Sequence, residues 1–161
     1  MIDLNLILKD VRFIYPELTI TVTIIFVILA DLVFSSNKKA ICSWLTIIGS
    51  VIALLLSLRL YSSGDRLLFS NVLALDPFAL FFKVFSVASL IFTVLFSIRS
   101  NEIDKRYQGE YHALLLSSVL GMFLLSAATD MLMIYISLEL VGISSYICLL
   151  YTSPSPRDRT R

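Results

Sequence analysis

The 161-residue chain is poor in the groups that most chemistry needs. It has two cysteines, Cys42 and Cys148, each inside an apolar segment. Thiols so placed make neither a metal-ligand cluster nor a disulfide framework. The single histidine, His112, has no His or Cys neighbour with which to build a metal site. Neither GxGxxG nor GxxxxGK(S/T) occurs, which excludes dinucleotide or phosphate binding by those mechanisms. A net charge of +1 offers no basic surface for nucleic acid, and no nucleic-acid partner is expected. The first residues also lack the ordered basic, apolar and small-residue regions of a cleaved signal peptide.

What the chain has is apolar surface. Hydrophobic residues make up 58% of it. The mean hydropathy of +0.89 exceeds what an ordinary water-soluble domain carries. The expected fold is all-α, a polytopic transmembrane helix bundle of five spans, with the lipid bilayer as its surroundings. The spans fall at about 14–34, 40–61, 76–98, 111–129 and 131–150. Residues 1–13 mix Asp3, Lys9, Asp10 and Arg12 with Leu and Ile, too polar and short to span, and read as an interfacial lead-in. Residues 151–161 change abruptly to Pro, Ser and Arg. That composition cannot pack a core, so a disordered and dispensable tail, foreign to the rest, is expected.

The charged residues near the spans have ordinary readings. Pro16 lies in the first turn of the first span, where a missing N–H costs little. Glu17 follows it, near the membrane surface, as a charge favoured by the helix dipole. Asp31, near the other end, is expected to reach the interface. Trp44 and Tyr61 sit near the ends of the second span, as interfacial aromatics do. The loop from Ser62 to Leu75 is expected to lie on the membrane surface. Asp76-Pro77 reads as an N-cap followed by proline at the first helical position. Lys83 lies about one and a half turns further on. It is either a snorkelling lysine whose head reaches the interface or part of a charge relay. The fourth span is uncharged, with His112 in its first turn read as interfacial. Asp130 makes a tight turn or N-cap into the fifth span. Lys38, Lys39, Arg99, Lys105 and Arg106 outnumber the basic residues on the opposite side, which places the first and third loops inside and the N-terminus outside.

The fifth span, Met131 to Leu150, is the most informative stretch. It is apolar except for polar uncharged side chains and one carboxylate, Glu139, about one residue from its midpoint. A spanning helix holds that acid near the bilayer centre, where it costs several kcal/mol unless protonated, paired or hydrated. Tyr135, Gly142 and Tyr146 fall at i−4, i+3 and i+7 from it and share its helical face. Two phenols, an acid and the gap left by glycine make a polar lining with room for water. Proton handling at Glu139 is one reading. A neutral acid that hydrogen-bonds a neighbouring helix is the other.

Met131-Leu-Met-Ile-Tyr-Ile-Ser-Leu-Glu-Leu140, reached directly from Ser126-Ala-Ala-Thr-Asp130, resembles the fifth-helix motif of the antiporter-like subunits of respiratory complex I. The resemblance is nearest to the bacterial subunit N branch and its mitochondrial and chloroplast subunit 2 counterparts. Tyr15-Pro-Glu-Leu18, Phe81-Phe-Lys-Val84 and Gly109-Glu-Tyr-His-Ala-Leu-Leu115 agree in order and spacing. The resemblance covers about residues 10–150. It implies that Glu139 is a proton-channel residue, paired in the family with a lysine on a later helix. It implies an N-terminal fragment of a longer subunit that is part of an enzyme, an NADH:quinone oxidoreductase, yet carries no redox centre or complete active site. NADH, FMN, iron–sulfur clusters and quinone are then expected in the whole complex, with no cofactor on this chain. The expected partners are the other membrane subunits and, through the complex, the quinone pool. The expected location is a bacterial inner membrane, or alternatively an organelle's energy-transducing membrane. A subunit of a multi-subunit cation/proton antiporter and a non-transporting membrane scaffold are the competing readings.

Overall fold

The computed structural model describes residues 11–33, 38–61, 64–69, 72–99 and 107–152. Most of the lead-in and most of the tail therefore lie outside the described residues. The described residues form five long helices: α1 (Tyr15–Val33), α2 (Lys38–Leu60), α3 (Pro77–Arg99), α4 (Gln108–Ala127) and α5 (Met131–Thr152). Each is long and apolar enough to cross a bilayer. A short 3-10 turn, Arg12–Ile14, runs directly into α1.

The helices start where the sequence supplies caps. Asp76 Oδ1 accepts the backbone N–H of Ala79 at 2.7 Å and opens α3, with Pro77 behind it. Asp130 Oδ2 accepts the N–H of Leu132 at 3.2 Å and opens α5. Within the helices, hydroxyls return to the preceding turn: Thr46 to the Cys42 carbonyl, Ser50 to Thr46, Ser57 to Ala53. A serine or threonine in an apolar span is satisfied in this way without a partner helix.

The core runs between α1, α2, α3 and α4. Ile20, Val27, Cys42, Ala53, Val87, Leu90, Val94, Leu116 and Phe123 are buried in it. Small residues set how closely the helices approach, as membrane packing favours. A Cβ on Gly49 would strike the Thr23 side chain, so α1 and α2 meet there at close range. A Cβ on Gly121 would lie 2.7 Å from Val141 Cγ2 and 3.2 Å from the Ser137 carbonyl, so α4 and α5 are as close. The outer faces carry exposed Phe, Leu, Ile and Val, the belt expected of lipid-facing helices.

The segment between α2 and α3 differs from the surface loop expected. It forms an antiparallel hairpin of β1 (Arg66–Leu68) and β2 (Leu73–Leu75), with Arg66 opposite Leu75 and Leu68 opposite Leu73. Phe69, at the turn, takes a positive φ of 51°. Leu68, Leu73 and Leu75 are buried against Ala79, Leu80 and Ala127. Their burial is the physical reason the segment folds onto the bundle end instead of lying flat. Backbone bonds tie it further: Leu73 bridges Ala128, and the Thr129 N–H donates to the Val72 carbonyl at 3.1 Å. The hairpin thus braces the turn that leads into α5.

Candidate functional site

α5 lies along α4 through Ser137, Val141 and Ser144; Ser137 and Ser144 are buried. Glu139 is on another face and is exposed. Tyr135 and Tyr146 are exposed with it, at 62% and 76%. Beside Gly142, the one heavy atom near a built Cβ is Tyr146 Cε2, at 3.9 Å. The four residues therefore form one outward stripe, apart from the stripe that packs on α4. Among the described residues, no ion pair or hydrogen bond reaches the Glu139 carboxylate. Ser145 spends its hydroxyl on the Val141 carbonyl, at 2.7 Å.

A second charged site lies inside the bundle, and it corrects two expectations. Lys83 does not snorkel. It is 2% exposed, with Nζ 2.5 Å from Glu17 Oε1. Glu17 is not a surface charge at a helix start; it is buried too. The reason is helical phase. Glu17 shares the inward face of α1 with Ile20 and Thr23. Lys83 shares that of α3 with Ala79, Leu80, Ser86, Val87 and Leu90. Phe81, Phe82 and Phe85 take the lipid side instead. The ammonium also lies 5.9 Å from the Phe123 ring centroid, a contact across to α4. Glu17 Oε2 is buried without a hydrogen-bond partner among the described residues. Lys83 is thus joined to Glu17 and not to the Glu139 stripe.

His112 is the third correction. It is 1% exposed, turned into the bundle and not out to its surface. α4 begins at Gln108, so His112 stands a full turn inside the helix. Its Nδ1 is 2.7 Å from the Gln108 carbonyl, which can only accept, so Nδ1 carries a proton. Nε2 lies 3.1 Å from Ser43 Oγ on α2. In the neutral ring, Nε2 accepts the serine proton, and the imidazole links α2 to α4. Nearby, Asp31 packs against Gly109, whose missing side chain makes the room. Asp31 is half-buried. Among the described residues, no group of three His, Cys, Asp or Glu side chains gathers as a metal site would require.

One relationship was within reach of the sequence. Glu17 and Lys83 both lie in the first two turns of the first and third spans, both on an inward phase, and carry opposite signs. Pairing them needs only the rule that buried charges seek partners.

No protein-family model matches the chain. Curated relatives do. NADH-quinone oxidoreductase subunit N 2 of Chloroherpeton thalassium is 37% identical over 146 residues, which is 89% of this chain and 28% of that protein. NADH-quinone oxidoreductase subunit N of Desulfovibrio desulfuricans is 34% identical over 94% of this chain and 30% of its own length. The chloroplastic NAD(P)H-quinone oxidoreductase subunit 2 of Chlorokybus atmophyticus is 34% identical over 89% of this chain and 28% of its own. The chain belongs to the family of NADH-quinone oxidoreductase subunit N. It spans between a quarter and a third of the length of the relatives it matches. Membership gives the five apolar helices their setting: this is a membrane-embedded member of the family, and its long exposed apolar faces are suited to lipid or to further helices.

Proposed function

We propose that the chain forms part of a proton-translocating membrane subunit of an NADH:quinone oxidoreductase. Electron transfer from NADH to quinone, carried out elsewhere in the complex, drives protons across the membrane through this and neighbouring subunits. The observation that carries the reading is Glu139. It stands near the middle of α5, on a face that α4 does not cover, with two phenols and a glycine beside it.

A carboxylate at that depth is tolerated as the neutral acid or beside a cation. An approaching positive charge stabilises the carboxylate and releases the proton; its withdrawal favours uptake. Glu139 therefore holds a proton and yields it as the charge beside it changes. Tyr135 and Tyr146 line the approach and keep water or a proton donor within reach. Lys83, tied to Glu17, has a subordinate part in charge transfer. The redox groups, FMN, the iron–sulfur clusters and quinone, belong to other parts of the complex. The partners are the complex's other membrane subunits, and the membrane is a bacterial inner membrane or an organelle's counterpart.

Two measurements test the reading. The full-length subunit should co-purify with redox subunits; recovery with cation/proton antiporter subunits instead would refute the assignment. In membrane vesicles, Glu139→Gln in the assembled complex should lower the number of protons moved per NADH oxidised.

A further inference from the structure

The buried pair of Glu17 and Lys83 leaves hydrogen-bonding capacity unused. An ionised carboxylate accepts at both oxygens, and an ammonium donates three N–H groups. Lys83 Nζ lies 2.5 Å from Glu17 Oε1, which engages one of each. Oε2 is buried with no hydrogen-bond partner among the described residues. The Phe123 ring, its centroid 5.9 Å from Nζ, takes one further N–H at most. One acceptor and at least one donor therefore remain, on the two members of a single pair. We propose that Oε2 and Nζ hold an ordered water molecule between them. The inference does not rest on proton handling at Glu139.

Buried polar atoms in native proteins are almost always satisfied, and a charged one left alone costs the most. The hydroxyls toward this end of the bundle are already committed. Thr21 Oγ1 donates to the Glu17 backbone carbonyl at 2.9 Å, and Ser57 Oγ donates to the Ala53 carbonyl at 2.9 Å. Ser86 Oγ, one turn beyond Lys83, donates to Met122 Sδ at 3.5 Å. The occupant must then be small and neutral, and must both accept and donate. A second ion would leave a net charge inside the bundle, where the pair as it stands sums to zero. Water meets each condition, accepting from Nζ and donating to Oε2. Buried waters fill such gaps between otherwise unsatisfied polar groups.

The position of the pair gives water a short route to it. Glu17 lies in the first turn of α1 and Lys83 in the second turn of α3, both at the end of the bundle that carries the hairpin. Phe13, four residues before Glu17, lines a recess of about 560 Å³ together with Leu56 and Leu60 of α2. Arg12 and Arg59 give that recess polar walls. One turn, about 5.4 Å along the axis, separates the level of Phe13 from that of Glu17. On the α3 side the way is shut, because Ala79 and Leu80, one turn before Lys83, pack with the hairpin leucines. Bulk water thus stops at the recess, one turn from the polar atoms that hold the bound molecule.

The test uses the full-length subunit in its assembled, purified complex. A cryo-EM map sharp enough to resolve buried waters should show density within hydrogen-bond distance of both Nζ and Oε2. X-ray hydroxyl-radical footprinting reads the same site in solution, because radiolysis of a bound water oxidises the side chains beside it. Phe123 is fully buried, so radicals formed in bulk water do not reach it, yet it should be labelled in the wild type. In the double variant Glu17→Leu with Lys83→Met, apolar groups of similar size replace the pair, a change that buried pairs generally tolerate. Labelling of Phe123 should then be lost, falling to that of the equally buried Leu116, while exposed Met122 is labelled as before. The map needs no variant, so it decides the matter even where the double variant does not assemble. A map that resolves waters elsewhere in the subunit and shows none at Oε2 would overturn the proposal. So would a protein group of the full-length chain bonded to Oε2, or Phe123 labelling that the double variant leaves unchanged.

Discussion

Lys83 on α3 and Glu17 on α1 meet inside the bundle at 2.5 Å, and between them they fix how those two helices sit against α4. Neither end of the pair reaches bulk water, since the side chains are 3% and 7% exposed. Such a pair is weak evidence of net stability, because desolvation offsets much of the attraction. Breaking it is a different matter, because one charge is then left buried alone.

That asymmetry gives the first prediction. Lys83→Met or Glu17→Gln alone should destabilise the subunit by about 3–5 kcal/mol. The double variant should recover most of the loss, because no unpaired charge remains. Thermal unfolding and assembly levels of the full-length subunit measure this. Additive losses in the double variant would show that the two side chains are not coupled.

The five helices were legible in the sequence because long apolar runs leave few other structures possible. What sat on their inward faces was harder to read. Distance from a span's end suggested that Glu17, Lys83 and His112 were interfacial. Depth along a helix says nothing of phase around it, and phase decided all three. The inward phases were present in the spacing, Glu17 with Ile20 and Lys83 with Ala79, Leu80 and Val87. The partner helix that completes each pair is a tertiary fact. The hairpin was illegible for another reason. Strands of three residues, Arg66–Leu68 and Leu73–Leu75, are too short to show an alternating pattern. At Glu139 the sequence pattern and the structure describe the same stripe of Tyr135, Gly142 and Tyr146, and its part in proton movement rests on the proposal above.

Gly121 provides the second prediction. Its Cα is where α4 and α5 touch, with Val141 Cγ2 2.7 Å and Val141 N 3.1 Å from a built Cβ. The methyl of Gly121→Ala can displace the valine rotamer but not the backbone. The cost should be about 1–3 kcal/mol, the usual penalty of overpacking. A paired Val141→Ala should relieve it. Thermal melts of the single and double variants decide the matter, and a Gly121→Ala variant as stable as the wild type would show a looser contact than the structure has.

The Ser43–His112 bond yields the third. His112→Leu removes the link between α2 and α4 and leaves the Ser43 hydroxyl buried without that partner. It should cost about 1–3 kcal/mol. His112→Asn cannot span the same distance and should rescue little. Ser43→Ala on its own should cost less, because the ring keeps its bond to the Gln108 carbonyl. A cycle of the two substitutions should therefore show a coupling energy. Independent effects would mean that the hydroxyl and the ring do not bond in the membrane.

The last prediction concerns the α5 stripe. Glu139→Gln preserves size and hydrogen bonding and removes the group that binds and releases a proton. Packing should survive, because the side chain is exposed and Ser137, Val141 and Ser144 make the contact with α4. Assembly should therefore be near normal while proton translocation falls, by about a hundredfold or more if a positioned acid contributes what general acid–base groups usually do. Glu139→Asp keeps the acid about one methylene further back and should retain part of the activity. Tyr135→Phe and Tyr146→Phe remove only a hydroxyl each and should act more weakly than Glu139→Gln. Lys83→Met in the background of Glu17→Gln, where the buried charge is not left alone, should also act more weakly. Proton pumping in membrane vesicles, alongside quinone-reductase activity and an independent assay of assembly, separates these outcomes. An assembled Glu139→Gln complex that pumps as the wild type does would remove the acid from the proton path. The stripe would then be a helix-packing surface, with its carboxylate bonded as a neutral group to whatever helix covers it.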